Sequence, residues 1–185
     1  MRINKEWAMP NGETFSIPPI RDLIRPVMAE CGPVIIDPFA RSSGFGTVTN
    51  DLDPDTSAMY HMDALEFLRE VVADDSADLV LFDPPYSPRQ VSEVYKKMGM
   101  TVNMETTQSS FWSDLKSEVQ RVSKPGARCI TFGWNSGGIG ESYGFSQDQI
   151  LLVAHGGWHN DTICTVEIRD NERQTDIFKE RDNVS

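Results

Sequence analysis

The feature that most limits how this chain can fold is the apolar run Leu79-Val80-Leu81-Phe82, which ends abruptly at Asp83-Pro84-Pro85-Tyr86. Four consecutive apolar residues without alternation are typical of a strand buried on both faces, as in the parallel sheet of an α/β protein. The two prolines cannot donate hydrogen bonds to a neighbouring strand, so the strand ends where they begin. The run therefore predicts a central parallel strand with a rigid polar loop at its carboxyl end.

Predicted strands and helices alternate along the rest of the chain. Short apolar segments predict strands at 34–36, 47–50 and 127–132, and helical spacing of apolar residues predicts helices at 22–30, 63–72, 90–98 and 112–122. Residues 150–154 and 162–168 flank a glycine-rich turn and predict an antiparallel pair. We therefore expect an α/β fold with a mostly parallel sheet that ends in an antiparallel hairpin.

The 185 residues are enough for a single domain with a real core. Residues 1–20 are rich in turn formers and predict an extended arm, whereas the polar residues 170–185 predict a flexible tail. No apolar run approaches the roughly 20 residues of a membrane helix, and the amino terminus has no signal-peptide pattern. We expect one cytoplasmic domain spanning residues 1–185, with no membrane contact.

The cysteines, the histidines and the net charge bear on the redox compartment, on metal binding and on nucleic-acid binding. Three cysteines without a CxxC pair favour buried thiols in a reducing compartment. His155 and His159 share one turn, but they lack metal-ligand spacing and a cysteine partner, so we predict no metal site. The net charge of −11 argues against strong nonspecific nucleic-acid binding, because phosphate contacts supply most of that affinity. A chain with this net charge can still carry local basic patches.

Acidic side chains follow three of the predicted parallel strands. Right-handed crossovers place the carboxyl ends of such strands along one edge, where ligands bind in open α/β sheets. Asp37, Asp51 with Asp53, and Asp83 should therefore meet there. A carboxylate after the second strand typically accepts hydrogen bonds from ribose hydroxyls. Its distance from the strand end favours Asp51, with Asp53 as second choice, and an exposed turn or a helix cap is the competing interpretation for each.

The loop at 83–86 has the composition needed to activate an aromatic amino group. Such a group is a poor nucleophile, because its lone pair is delocalised into the ring. The Asp83 carboxylate and a backbone carbonyl can accept hydrogen bonds from the amino group and localise that lone pair, while Pro84 and Pro85 hold the acceptors in place. Tyr86 is suited to stack on an extruded base. A simple strand-ending turn is the alternative interpretation.

Together these motifs resemble the S-adenosylmethionine-dependent amino-methyltransferases of DNA, whose catalytic loop is D/N/S-P-P-Y/F/W. Asp83-Pro84-Pro85-Tyr86 looks like the version usual in adenine enzymes, and the resemblance, which covers nearly the whole chain, is nearest to small orphan members of phages and mobile elements. It implies a Rossmann-like class I methyltransferase fold with a mostly parallel seven-stranded sheet. It also implies S-adenosylmethionine as cofactor, adenine in DNA as substrate, and the host cytoplasm if the gene belongs to a phage.

The same resemblance implies a set of cofactor-binding residues. The segment Asp37-Pro38-Phe39-Ala40 is similar to the start of the family motif D-P-F-x-G-S-G, which makes Asp37, Phe39 and Ala40 candidates. Small residues in this loop let the backbone approach the cofactor's methionine part. Ala40 and Arg41 depart from the pattern, because a glycine is usual in that region.

Two further segments are assigned by the resemblance. Asp63, with Ala64 next to it, matches an acidic residue that accepts a hydrogen bond from the cofactor's adenine amino group. Asp63 is equally suited to cap the helix that follows it. Phe15 and Ser16 lie in a segment that closes over the cofactor's methionine end in similar enzymes.

Substrate contacts are expected beside the catalytic loop. Trp134 and Asn135 follow a predicted strand at the same edge and could line a base pocket, although core packing explains them equally well. Arg89, with Lys96 and Lys97, is the most plausible phosphate contact in this acidic chain, the alternative being a solvated helix face.

The room left for recognising a DNA sequence is small. Only 25 residues separate Tyr86 from Trp112, so we expect no large target-recognition domain. This favours weak sequence specificity or recognition shared with a partner subunit in a homodimer. Cytosine amino methylation and RNA methylation are alternative activities. A noncatalytic partner subunit with the same fold is a third alternative, motivated by the acidity and by Ala40-Arg41.

Overall fold

The computed structural model describes residues 1–85 and 109–171, which form one seven-stranded sheet flanked by helices. The strands are β1 (Arg2–Trp7), β2 (Ile35–Asp37), β3 (Val48–Thr49), β4 (Ala77–Phe82), β5 (Ser123–Gly133), β6 (Phe145–Ala154) and β7 (Thr162–Arg169). The helices are α1 (Pro18–Glu30), α2 (Ala64–Glu70) and α3 (Ser109–Val122), and 3-10 turns lie at Thr14–Ser16 and Glu141–Tyr143. The predicted helix at 90–98 and nearly all of the predicted tail lie outside the described residues.

Across the sheet the strand order is β1-β6-β7-β5-β4-β2-β3. Each neighbouring pair is parallel except those that include β7, which runs antiparallel to both β5 and β6. The expected mostly parallel seven-stranded sheet with an antiparallel carboxyl-terminal hairpin is therefore confirmed. Every strand except β7 ends at the same side of the sheet, which we call the carboxyl edge.

Strand β4 has the double-sided burial that its apolar run predicted. Leu79 and Leu81 face the core beneath α1, whereas Val80 and Phe82 face the core beneath α2 and α3. Parallel neighbours on both sides, β2 and β5, satisfy its backbone. In the described parts of the chain, none of the helices is long and apolar enough to cross a membrane.

The amino-terminal segment differs from the extended arm that the sequence predicted. Residues Arg2–Trp7 form an outer strand, and Trp7 pairs in register with Ala154 of β6. The strand was not evident from the sequence because all six of its residues are exposed, so no apolar alternation marks it. Helix α1 also begins earlier than predicted, at Pro18, since proline suits a first turn, in which backbone N–H groups have no partner within the helix.

A buried histidine fastens β1 to the β6–β7 hairpin. His155 is 3% exposed, and its Nδ1 lies 2.7 Å from the carbonyl oxygen of Ala8, to which it donates. Its Nε2 lies 2.8 Å from the hydroxyl of Thr162. Both ring nitrogens of His155 are therefore used within the fold. His159, in the same turn, is exposed.

Replacing His155 with alanine should lower the free energy of unfolding by about 1–3 kcal/mol, because the buried Ala8 carbonyl and Thr162 hydroxyl lose their partners. Urea unfolding followed by circular dichroism measures the change. His159→Ala is the matched control and should change stability by less than about 0.5 kcal/mol. Equal effects of the two substitutions would contradict the structural role of His155.

Candidate active site

A cavity of about 430 Å³ opens at the carboxyl edge between two loops. One wall is residues 13–16, which include the 3-10 turn before α1, and the other is the loop 39–45 after β2. Asp83, directly after β4, completes the lining. The structure therefore brings together five residues that the sequence singled out: Phe15, Ser16, Phe39, Ala40 and Asp83.

Aromatic contacts hold the two walls in place. The ring centroid of Phe15 lies 4.8 Å from that of Phe132 on β5 and 5.9 Å from that of Phe45 in the opposite wall. The ring of Phe39 lies 5.7 Å from Phe82 at the end of β4. Such edge-on and tilted pairs fix ring positions as well as burying area. The cavity is thus built on the rigid ends of β4 and β5.

Asp37 lies behind the cavity wall, fully buried, and does not line the cavity itself. Its Oδ1 accepts a hydrogen bond of 3.2 Å from the backbone N–H of Phe39, and its Oδ2 has no hydrogen-bond partner among the described residues. Burial raises the pKa of this carboxyl well above its usual range, and the nearby charges of Asp83 and Asp51 raise it further.

Asn50 organises the loops around this carboxyl. It is fully buried, and its Nδ2 donates to the carbonyl oxygens of Pro38 at 3.1 Å and Met62 at 3.0 Å. Its Oδ1 accepts from the backbone N–H of Met62 at 3.1 Å. Asn50 was not among the predicted site residues, although an amide at the end of a buried strand was the available signal.

Arg41 stands where the motif has a glycine, and it adopts the left-handed backbone conformation that usually favours glycine. Its φ is 49°, in the left-handed region, and its backbone N–H donates to Asp51 Oδ2 at 2.9 Å. Its guanidinium donates to the carbonyl oxygen of Gly12 and lies 3.9 Å from the Glu13 carboxylate. The departure from the motif therefore leaves the turn intact and adds a side chain that links the two cavity walls.

The other acidic candidates lie outside the cavity lining. The Asp51 carboxylate accepts from the backbone N–H groups of Arg41 and Asp53, both at 2.9 Å. Asp53 Oδ1 accepts from the N–H of Asp55 at 3.0 Å. Both residues thus shape the turn after β3. Ribose binding by either carboxylate stays a prediction.

Asp63 caps α2, as one of its two interpretations predicted. Its Oδ1 lies 2.9 Å from the N–H of Leu65 and 3.4 Å from that of Glu66. Ala64 is buried in the core beneath α2 and α3. A role for either residue in cofactor binding stays a prediction.

The remaining candidates are only partly described. Pro84 is buried and Pro85 is half-buried, whereas Tyr86 and Arg89 lie outside the described residues. Trp134 follows β5 and is 43% exposed, and Asn135 Oδ1 accepts from the N–H of Gly137 at 2.9 Å. Within residues 1–85 and 109–171, no three histidine, cysteine, aspartate or glutamate side chains group as metal ligands would.

No protein-family model matches the chain, and no curated protein sequence is significantly similar to it. Solved structures are similar in fold. One is the 1,6-didemethyltoxoflavin-N1-methyltransferase of Burkholderia thailandensis with bound S-adenosylhomocysteine, 10% identical with a TM-score of 0.53 over 80% of this chain and 78% of that one. Another is magnesium protoporphyrin IX methyltransferase (ChlM) from Synechocystis PCC 6803 with bound S-adenosylmethionine, also 10% identical with a TM-score of 0.53, over 83% and 79%.

TrmN from Thermus thermophilus is a third similar structure, 16% identical with a TM-score of 0.50 over 83% of this chain. The chain spans about half of that protein, 49% of its length. At these identities the likeness concerns the fold. The chain has the Rossmann-like class I methyltransferase fold that the motifs implied.

The raised pKa of Asp37 gives a test of how the carboxyl is buried. A carboxyl whose pKa is higher in the folded state favours folding when it is protonated, and that contribution disappears as the pH rises through the folded-state pKa. Asp37→Asn keeps the shape and removes the charge. It should raise the free energy of unfolding at pH 8 by about 1 kcal/mol or more, with a smaller gain at pH 4.5.

Urea unfolding at the two pH values measures both numbers. The exposed carboxylate of Asp55 provides the control, and Asp55→Asn should change stability by less than about 0.5 kcal/mol at either pH. A destabilised Asp37→Asn protein at pH 8 would show that the charge has a partner after all.

The backbone at Arg41 can be tested by a pair of substitutions that both remove its side chain. Arg41→Gly should be more stable to urea than Arg41→Ala by about 1 kcal/mol, because only alanine retains a β-carbon in the left-handed region. At Ser42, where φ is not positive, alanine should equal or exceed glycine. The same ranking at both positions would contradict the assigned backbone.

Proposed function

We propose that this chain binds S-adenosylmethionine in the cavity at the carboxyl edge and transfers its methyl group to the exocyclic amino group of adenine in DNA. The observation that carries the proposal is the position of Asp83, which begins the Asp83-Pro84-Pro85 loop and lines the same cavity as the loop 39–45. A donor held by that loop and an amino group held by Asp83 would therefore lie side by side.

The residues around the cavity suit a cationic cofactor. S-adenosylmethionine carries a positive sulfonium and an ammonium group, and the volume of about 430 Å³ lies within the range usual for small-molecule sites. Two structures of the same fold hold S-adenosylhomocysteine or S-adenosylmethionine, which supports this choice.

Asp83 would act on the amino group and not on the cofactor. Its half-buried carboxylate accepts a hydrogen bond from the adenine NH2, which concentrates the lone pair on nitrogen. As the nitrogen gains the methyl group and the neutral sulfide leaves, the nitrogen gains positive charge. The carboxylate stabilises that charge until the nitrogen releases one of its two protons to solvent. The sulfonium supplies the reactive methyl group when the cofactor is bound. Pro84 and Pro85 reduce the freedom of the loop, so that little ordering is needed on binding.

An enzyme is favoured over a noncatalytic partner subunit because the cavity and the Asp83-Pro84-Pro85 loop occur together. A subunit kept only for its fold has no need of an acidic group at the end of β4 that faces a ligand-sized space. The same reaction could take place on adenine in RNA. It is also compatible with a homodimer. Calorimetry with S-adenosylmethionine distinguishes the two classes, since the absence of binding at high micromolar concentration would favour the noncatalytic subunit.

Replacing Asp83 with alanine should lower methyl transfer by about 100-fold or more, because the amino group loses its acceptor. Incorporation of tritiated methyl groups into unmethylated DNA measures the rate, and nucleoside analysis separates N6-methyladenine from N4-methylcytosine. Affinity for the cofactor should change less than about threefold. Asp55→Ala, on the surface, should behave as the wild type. An unreduced rate for Asp83→Ala, or no incorporation by the wild type into DNA or RNA, would refute the assignment.

A further inference from the structure

Three tryptophans are exposed at the carboxyl edge. Trp7 ends β1 and is 65% exposed, Trp134 follows β5 and is 43% exposed, and Trp158 lies in the β6–β7 turn and is fully exposed. Large aromatic side chains are mostly buried in a soluble domain, and a set of exposed ones on one side marks a binding surface. We call these three residues the tryptophan row.

The strand order places the row beside Asp83. Along the edge the sequence of ends is β1 with Trp7, the β6–β7 turn with Trp158, β5 with Trp134, and then β4 with Asp83. Trp134 follows β5, the strand next to β4 and Asp83. Because neighbouring strands lie about 4.8 Å apart, β1 is about 19 Å from β4. The cavity between residues 13–16 and 39–45 also reaches Asp83. The row therefore leads along the edge to the reacting side chain.

The β6–β7 turn displays Trp158 by its backbone geometry. Gly156 and Gly157, which precede Trp158, have φ angles of 70° and 63°, in the left-handed region that side chains disfavour. A β-carbon on Gly156 would lie 3.4 Å from the indole nitrogen of Trp7, so Trp7 and the turn are close neighbours. The buried His155 fixes the start of the same turn. Trp158 is thus held outward by a fastened turn and contributes no core packing.

We propose that the tryptophan row binds the unpaired bases of a single-stranded nucleic acid and guides the target adenine to Asp83. The proposal rests on the function proposed above and names the form of its substrate. Stacking on aromatic rings is insensitive to charge, whereas phosphate contacts need lysine and arginine, which residues 155–161 lack. A net charge of −11 is therefore compatible with binding through bases.

A single strand also fits the size and chemistry of the edge. An enzyme that acts on a base must take it out of a duplex, and an unpaired strand removes that cost. The span of about 19 Å corresponds to five or six nucleotides at about 3.4 Å each, within the site sizes of single-strand binding proteins. A duplex presents its bases edge-on within the grooves and offers no faces to a row of rings.

The test uses fluorescence anisotropy of labelled adenine-containing oligonucleotides of 3 to 12 residues and of the matching duplex. We expect the wild type to bind the single strand at least tenfold more tightly than the duplex. Affinity should level off near six nucleotides and should change little between about 50 and 200 mM salt. Trp158→Ala should weaken single-strand binding by about 5- to 100-fold. Trp158→Phe should recover most of the loss.

Ile3→Ala is the control, because Ile3 is an exposed apolar residue of β1, 65% exposed, that lies near the amino end of its strand and so away from the carboxyl edge. It should change single-strand affinity less than twofold. Cofactor affinity, measured by calorimetry, should be the same in Trp158→Ala and the wild type, which shows that the cavity is intact.

Equal affinity for duplex and single strand, or unchanged binding by Trp158→Ala, would overturn the inference. Methyl transfer measured on the same oligonucleotides separates this result from the proposed function. Efficient methylation of duplex that does not depend on Trp158 refutes the tryptophan row and leaves the methyltransferase in place. Single-strand binding that depends on Trp158, without methyl transfer to any oligonucleotide, supports the row and refutes the proposed reaction.

Discussion

The buried amide of Asn50 is the interaction on which the carboxyl edge depends. Three hydrogen bonds from its side chain join the loop after β2 to the segment before α2, and its backbone bonds to Asp37 and Ala40 at 2.9 and 2.8 Å. Only a side chain with both a donor and an acceptor can satisfy these groups without water. Asn50 therefore positions the start of the loop 39–45, which forms one wall of the cavity.

Much of the fold could be predicted because local pattern and tertiary environment agree. Leu79 to Phe82 is apolar on both faces since both faces are covered, and Asp63 sits where a helix needs a cap. Strand β1 was not predicted, because it is held by backbone pairing with β6. Its side chains are exposed, so its sequence does not alternate between apolar and polar residues. Pairing partners distant in the chain leave no trace in a local pattern.

In the candidate site, too, some residues could be predicted from the sequence and others could not. Residues whose roles follow from type and position, such as Asp83 and Phe39, do line one cavity. Arg41 could not be understood from the motif, because its fitness for a glycine position depends on a φ of 49° and on contacts with the distant Gly12 and Glu13. Likewise, residue identity alone does not reveal that Asp37 Oδ2 is buried without a hydrogen-bond partner among the described residues.

The acidic side chains at the carboxyl edge determine which charges the edge can bind. Asp37 is buried close enough to Asp83 and Asp51 for their charges to raise its pKa, so the potential at this end of the sheet favours cations and opposes phosphates. Under the proposed function, a positively charged methyl donor gains from that potential, and its neutral sulfide product gains less. A polynucleotide gains nothing from it through its backbone. Under the proposed single-strand binding, its uncharged bases, stacked on the tryptophan row, are the part of the polymer that this edge holds.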